Sequence, residues 1–440
     1  MKKEKQKQVI HPIYTVAMDG PVGAGKSTVA EAVAKRLNIL HLDTGAMYRC
    51  LALYLIRKGV EISDEKAVMA ELSGFELSIS YVNGRQINRV GGEDVGALIR
   101  TPEVGMGASR VSAYAGVREY LLKTQREMAK GQSLLLDGRD IGTVVLPDAN
   151  VKIYITAKPE VRAKRRYDEN RQKGIDDSYE KVLEDLIKRD KQDTERPVAP
   201  LKQAEDAILV DTSEMSFNEV VDCIADKCAL AVEKLIPRER NWKYVVMRIG
   251  AFFVDHICAK VTILHGERLS SAQPAIIVAN HLSMADPFLI GGRCRYNIRF
   301  LGKEELYKNP IIGAFLRGLE SIPVKRHKTD MASMRACVGA LKDGRVLGIF
   351  PEGTRHSKGM LQEAETGTAM IALRSKVPVI PVLIERKYRW FTHNYVYVGT
   401  PLEYADICEK GISTEGAEEF MERLREKYPD MKKRLDKERA

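Results

Sequence analysis

Residues Val16-Ala17-Met18-Asp19-Gly20-Pro21-Val22-Gly23-Ala24-Gly25-Lys26-Ser27-Thr28 set the pattern G-x-x-x-x-G-K-S between an apolar run, Tyr14–Met18, and an apolar-periodic stretch, Thr28–Leu37. A strand ahead and a helix behind are the setting in which this pattern binds phosphate. Gly20, Gly23 and Gly25 let successive N–H groups turn inward, Lys26 reaches the β and γ oxygens, and the Ser27 hydroxyl is placed to ligate Mg²⁺. Gly20, Pro21, Val22, Gly23, Ala24, Gly25, Lys26, Ser27 and Thr28 therefore form the expected nucleotide-phosphate site, with Lys26 catalytic and Ser27 on the metal.

At 440 residues the chain is long for one core, and two or three domains are expected. With 44% hydrophobic and 30% charged residues it reads as globular, and no run of about 18 uncharged apolar residues could span a bilayer. The basic start, Met1 to Lys7, lacks the apolar core of a secretory signal, so a cytoplasmic protein is expected. Seven scattered cysteines without C-x-x-C spacing read as reduced core residues. A net charge of +10 suits anionic partners without choosing among them; no basic groove interleaved with aromatics appears, so nucleic acid is not expected.

Ile39 to Arg49 reads as a short strand, a turn and a helix, and Leu134-Leu135-Leu136-Asp137-Gly138-Arg139-Asp140 as a buried parallel strand ending in charge. Such strand ends are where open α/β sheets place ligand groups. Arg189-Asp190-Lys191-Gln192-Asp193-Thr194-Glu195-Arg196 puts Arg189, Asp193 and Arg196 at i, i+4 and i+7, on one helix face. With Ile99–Ser109 and Val117–Glu119, these blocks resemble cytidylate kinases, P-loop nucleoside-monophosphate kinases built on a parallel sheet flanked by helices.

The resemblance implies that Tyr48, Arg49 and Arg139 hold the acceptor's α-phosphate, that Ser109, Arg118 and Asp140 read the cytosine edge, and that Arg189 and Asp193 lie near the sugar. Asp137 and Arg196 join this set, and Arg162, with Arg165 and Arg166, belongs to a lid at about 160–180 over the transferring phosphoryl group. CMP or dCMP and ATP are the implied substrates. Residues 61–96, with alternation and the turn Asn83-Gly84, resemble the family's small acceptor-binding insertion. A last strand at Ala207–Ser213 and a helix at Ser216–Cys228 close this part.

Pro237 and the charges around it break the helical pattern, so domains of 1–236 and 237–440 are expected. From Tyr244 to Leu264, at 100° per residue, Arg248, Asp255, His256 and Lys260 collect on one side and Val246, Phe253, Ile257, Val261 and Leu264 on the other. This amphipathic helix either packs on its own core or docks on a membrane surface. Next, the apolar run Ala275–Ala279 delivers His281 and, five residues on, Asp286. Five residues on a helix are about 140° apart, so the pair needs a turn, with Asp286 expected as N-cap and Pro287 first in the helix.

Lys303-Glu304-Glu305-Leu306, Ile322-Pro323-Val324-Lys325-Arg326, Phe350-Pro351-Glu352-Gly353-Thr354-Arg355 and Val377–Val382 follow in order. Over about 243–400 this resembles the glycerolipid acyltransferases, specifically those acting on 1-acyl-glycerol-3-phosphate, an α/β fold. The resemblance implies His281 as general base, Asp286 as its orienter, and Lys303, Arg326, Glu352, Gly353 and Arg355 around the acceptor's glycerol phosphate. Lysophosphatidate and an acyl donor, acyl-CoA or acyl carrier protein, are the implied substrates. Two positions depart from the family pattern: Glu320 stands where glycine is frequent, and Ala364-Glu365-Thr366 precede Gly367 where a basic residue is common. The expectation is a bifunctional enzyme touching the membrane through 244–264; the rival is a kinase whose second domain is an idle membrane tether.

Overall fold

The computed structural model describes residues 11–82, 85–172, 174–236, 242–252, 260–324, 331–352, 361, 366–389 and 391–439. The chain divides into two units, Ile13–Ala231 and Val232–Ala440, the latter taking in the residues ahead of Ile13. Pro237 itself lies outside the described residues.

In the first unit, strands β1 (Thr15–Asp19), β2 (Leu40–Asp43), β3 (Leu77–Val82), β4 (Arg85–Val90), β5 (Glu93–Asp94), β6 (Leu134–Gly138), β7 (Val151–Thr156) and β8 (Ile208–Asp211) are joined by helices. These are α1 (Lys26–Leu37), α2 (Thr44–Arg57), α3 (Glu65–Glu71), α4 (Pro102–Val111), α5 (Ala115–Met128), α6 (Pro159–Gln172), α7 (Tyr179–Glu195) and α8 (Phe217–Glu233). A five-stranded parallel sheet runs in the order β2-β6-β1-β7-β8. Val16, Ala17 and Met18 of β1 are fully buried, as a central parallel strand requires. The carboxyl ends of β1, β2 and β6 therefore meet at one edge. β3, β4 and β5 form a separate antiparallel sheet within the expected insertion, whose turn Asn83-Gly84 lies outside the described residues.

The second unit carries β9 (Val261–Leu264), β10 (Ala275–Ala279), β11 (Ile298–Lys303), β12 (Ile322–Val324), β13 (Val346–Ile349), β14 (Val379–Ile384) and β15 (Asn394–Val398). Its helices are α9 (Trp242–Phe252), α10 (Asp286–Arg293), α11 (Pro310–Gly318), α12 (Met331–Lys342), α13 (Gly367–Ser375), α14 (Ala405–Glu409) and α15 (Thr414–Glu438). The sheet order is β12-β11-β13-β10-β14-β15-β9, parallel except for the β14–β15 pair. One core cluster joins the sheet to residues of α12, α13 and α15, such as Leu341, Leu373 and Phe420; another joins it to Leu289 and Ile290 of α10.

The single amphipathic helix expected over 244–264 is not formed. Helix α9 is described to Phe252, residues 253–259 lie outside the described set, and Val261–Leu264 is strand β9, parallel to β15. The run Val-Thr-Ile-Leu is rich in β-branched residues, which favour a pleated edge over a helix end. The buried face of α9 also differs. Tyr244, Met247 and Ala251 are buried, with Phe288, Phe315 and Leu319 packed around the first two, while Val246 is exposed beside Val245, Ile249 and Phe252. Among the described residues no helix is long and apolar enough to cross a membrane.

Candidate active sites

In the loop after β1, Gly20 has φ 155° and a Cβ there would lie 2.1 Å from the Ile155 carbonyl oxygen, so only glycine fits. Gly23 and Gly25 have φ 73° and 77°. Lys26 opens α1 and is buried, donating from Nζ to Pro21 O at 2.7 Å; burial and the Arg139 charge push its ammonium well below the ordinary lysine range. Ser27 Oγ donates to Asp137 Oδ2 at 2.7 Å, and His41 Nε2 meets Asp137 Oδ1 at 2.7 Å. Burial raises the Asp137 pKa, but the His41 bond and charge, the Ser27 hydroxyl and the Lys26 charge outweigh it and hold the carboxyl below the usual range. A hydroxyl beside an ionised carboxylate is the hard-oxygen donor set Mg²⁺ takes, so the residues present fit that ion.

On the acceptor side, Asp140 is bonded to Arg118 and lies 3.6 Å from Arg196, and the Arg118 guanidinium sits 5.8 Å from the centroid of the Tyr48 ring. Arg139 Nε donates to Asp193 Oδ2 at 2.8 Å. Arg189 is held below the ordinary arginine range by burial and by the charge of Arg139, with Asp193 opposing and Arg166 and Arg49 adding to the effect. Cations crowded in this way suit an anion placed among them. Tyr48, Arg49, Arg118, Arg139, Asp140, Arg189, Asp193 and Arg196 thus converge. Ser109, exposed on α4, is not tied to this group by any hydrogen bond among the described residues.

The expected lid cations differ among themselves. Arg162 is buried; its Nε donates to Ala157 O at 2.9 Å, and its Nη1 donates to Val22 O at 2.8 Å and pairs with Asp190 Oδ2 at 2.7 Å. Arg165 is tied to Thr212 at 3.1 and 2.7 Å, whereas Arg166 pairs at the surface with Glu169 at 3.1 Å. Asp190, to which the sequence assigns no role, also accepts the Val22 N–H at 3.3 Å. Arg162 and Asp190 together clasp the phosphate loop.

In the second unit His281 leaves the carboxyl end of β10, the middle strand of its sheet. Its Nδ1 meets Asp286 Oδ2 at 2.8 Å, and the same oxygen accepts the N–H groups of Leu282 at 2.8 Å and Ser283 at 2.7 Å. Asp286 is fully buried. It does not act as the expected N-cap: it is the first residue of α10, and its carboxylate turns back onto the 282–283 turn because that turn offers two free N–H groups beside the imidazole. Bonded to a carboxylate, Nδ1 carries the proton, which leaves Nε2 as the ring's acceptor nitrogen. Phe350 stacks on His281 with centroids 4.3 Å apart and is backed by Phe300 at 5.9 Å.

Glu352, past the end of β13, accepts the His281 N–H at 3.3 Å and the Leu361 N–H at 2.9 Å, so it braces the backbone that carries His281. Lys303 is exposed at the end of β11, beside β13. Arg326, Gly353 and Arg355 lie outside the described residues, as do Ala364 and Glu365. Glu320 has φ 57° and bonds through its carboxylate to Arg299 Nε at 2.9 Å.

The family model for cytidylate kinase matches residues 16–229, and that for acyltransferase matches residues 260–385. The cytidylate kinase of Thermosipho melanesiensis is 51% identical over 219 residues, covering 49% of this chain and 98% of that protein. That of Caldicellulosiruptor bescii is 46% identical over 211 residues, covering 48% and 93%. The solved 1-acyl-sn-glycerophosphate acyltransferase PlsC of Thermotoga maritima is 26% identical, with a TM-score of 0.34, over 47% of this chain and 82% of that one. The chain belongs to the cytidylate kinase family, and its C-terminal half carries an acyltransferase domain.

Proposed function

We propose that the chain is a bifunctional enzyme: residues 1–236 phosphorylate CMP and dCMP from ATP, and residues 237–440 convert 1-acyl-glycerol-3-phosphate to phosphatidate. In the kinase half the work is positioning and charge stabilisation, since phosphoryl transfer asks little covalent chemistry of the protein. Lys26 and the N–H groups of the loop hold the donor phosphates, Arg162 and Asp190 keep the loop in shape, Tyr48, Arg49 and Arg139 hold the acceptor phosphate, and Arg189 and Asp193 stand by its sugar. Asp140, fixed by Arg118, faces the cytosine edge. Mg²⁺ held by Ser27 and Asp137 would screen the charge between the β- and γ-phosphates.

In the second half, the observation that carries the reading is the His281–Asp286 pair at 2.8 Å. His281 Nε2 takes the proton of the acceptor's free hydroxyl while that oxygen attacks the acyl carbonyl; the C–S bond of a thioester donor breaks, and the leaving thiolate takes the proton back from the imidazolium. Asp286 fixes the tautomer and stabilises the imidazolium. Lys303, with Arg326 and Arg355, supplies cations for the acceptor's phosphate. Contact with the cytoplasmic face of a membrane suits this amphiphilic acceptor, and the exposed Val245, Val246, Ile249 and Phe252 of α9 offer the apolar surface for it.

The test is a two-substrate assay on purified full-length protein. With ATP and Mg²⁺, CMP should exceed UMP in kcat/KM by on the order of 10², because a site built to bond an amino group rejects a base without one. With lysophosphatidate and either acyl donor, phosphatidate should form and should vanish in His281→Ala. Absence of acyl transfer with both donors would leave the idle-tether reading in its place.

A further inference from the structure

His41 is given no role by the sequence, yet its side chain stands 12% exposed with a ring nitrogen on the Asp137 carboxylate, which is 3% exposed. The bond joins neighbouring strands: β2 and β6 pair in parallel, with Asp43 opposite Asp137 and His41 two residues earlier on β2. Asp137 is thereby held at three points, by His41 on Oδ1 at 2.7 Å, by Ser27 on Oδ2 at 2.7 Å, and by the Thr44 hydroxyl on its carbonyl oxygen at 2.8 Å. The side-chain torsion that sets an aspartate's two oxygens is broad and nearly two-fold. With only Ser27 attached, the carboxylate could swing or exchange oxygens; with His41 on the far oxygen, one orientation remains.

We infer that His41 is a positioning residue of the kinase reaction, fixing the Asp137 carboxylate so that the oxygen facing Ser27 is ready for Mg²⁺. The inference rests on Ser27 and Asp137 being the metal site. Partners of this kind, one bond removed from the ion, change metal affinity by roughly 10–100-fold when removed.

The experiment uses full-length protein and two readouts: the free Mg²⁺ concentration giving half-maximal CMP phosphorylation, and Mn²⁺ binding to the ADP-loaded protein followed by electron paramagnetic resonance. His41→Leu should raise the first and weaken the second by roughly tenfold, with kcat at saturating Mg²⁺ within about twofold. His41→Gln, whose amide can donate to Oδ1, should keep most of the affinity. If His41→Leu moves neither readout while Asp137→Asn and Ser27→Ala move both, His41 does not position the site and the metal reading stands. If none of the three moves either readout, the metal reading fails and the inference with it. A His41→Leu protein whose kcat falls equally at all Mg²⁺ concentrations, with Mn²⁺ binding unchanged, would show a purely structural role and overturn the inference.

Discussion

Glu320 carries a side chain at φ 57°, where L-residues other than glycine pay a steric penalty of about 1 kcal/mol or more. The ion pair with Arg299 offsets part of that, by about 0.2–1 kcal/mol for a partly exposed pair. Glu320→Gly should therefore leave stability within about 0.5 kcal/mol, whereas Glu320→Ala, which keeps the strain and loses the pair, should cost about 1 kcal/mol by urea unfolding. Equal losses in the two variants would show that the backbone is not strained there. Asp19 offers a pH test. Burial pushes its carboxyl up to about 6, although the Ile141 and Gly142 N–H groups, each 2.7 Å from one of its oxygens, pull the other way. The folded state thus binds this proton at a higher pH than the unfolded chain, so between about pH 4 and 6 stability falls as pH rises. Melting curves over that window should show wild type losing more stability than Asp19→Asn, by on the order of 2–3 kcal/mol; parallel curves would contradict it.

The elements legible in the sequence are those defined locally. The β1–loop–α1 unit, the β6 strand with its charged end, and the face of α7 bearing Arg189 and Asp193 each follow from a motif or a period and stand as expected, whereas Arg196, expected on that face, follows the end of the helix on extended backbone. What periodicity could not supply was which apolar residues of an amphipathic stretch face inward. The partners of α9, namely Phe288, Phe315 and Leu319, lie far along the chain, and they select Tyr244 and Met247. The same holds for the clasp of Arg162 and Asp190 and for the brace of Glu352, both made by groups that meet only after folding. The exposed face of α9 gives the test of membrane contact. Val245→Asp with Ile249→Asp should abolish flotation of the full chain with anionic vesicles while changing stability by no more than about 0.5 kcal/mol, as expected for surface sites. Wild-type flotation should weaken with salt. Flotation that survives both changes would place the contact elsewhere.

At the scale of the molecule, two sheets of different order each present their chemistry at the carboxyl ends of parallel strands: Lys26, Ser27 and Asp137 beside β1 and β6, His281 and Glu352 beside β10 and β13. The described residues of each candidate site come from one unit, so the two proposed chemistries should be separable by single substitutions. On the proposed function, one chain runs both reactions from these two sites. The most direct measurement assays CMP phosphorylation and lysophosphatidate acylation side by side on wild type, Lys26→Ala and His281→Ala. Lys26→Ala should lower the first by on the order of 10² or more and leave the second within about twofold, and His281→Ala should do the reverse. A wild-type protein without acyl transfer, or a His281→Ala protein that retains it, would contradict the account.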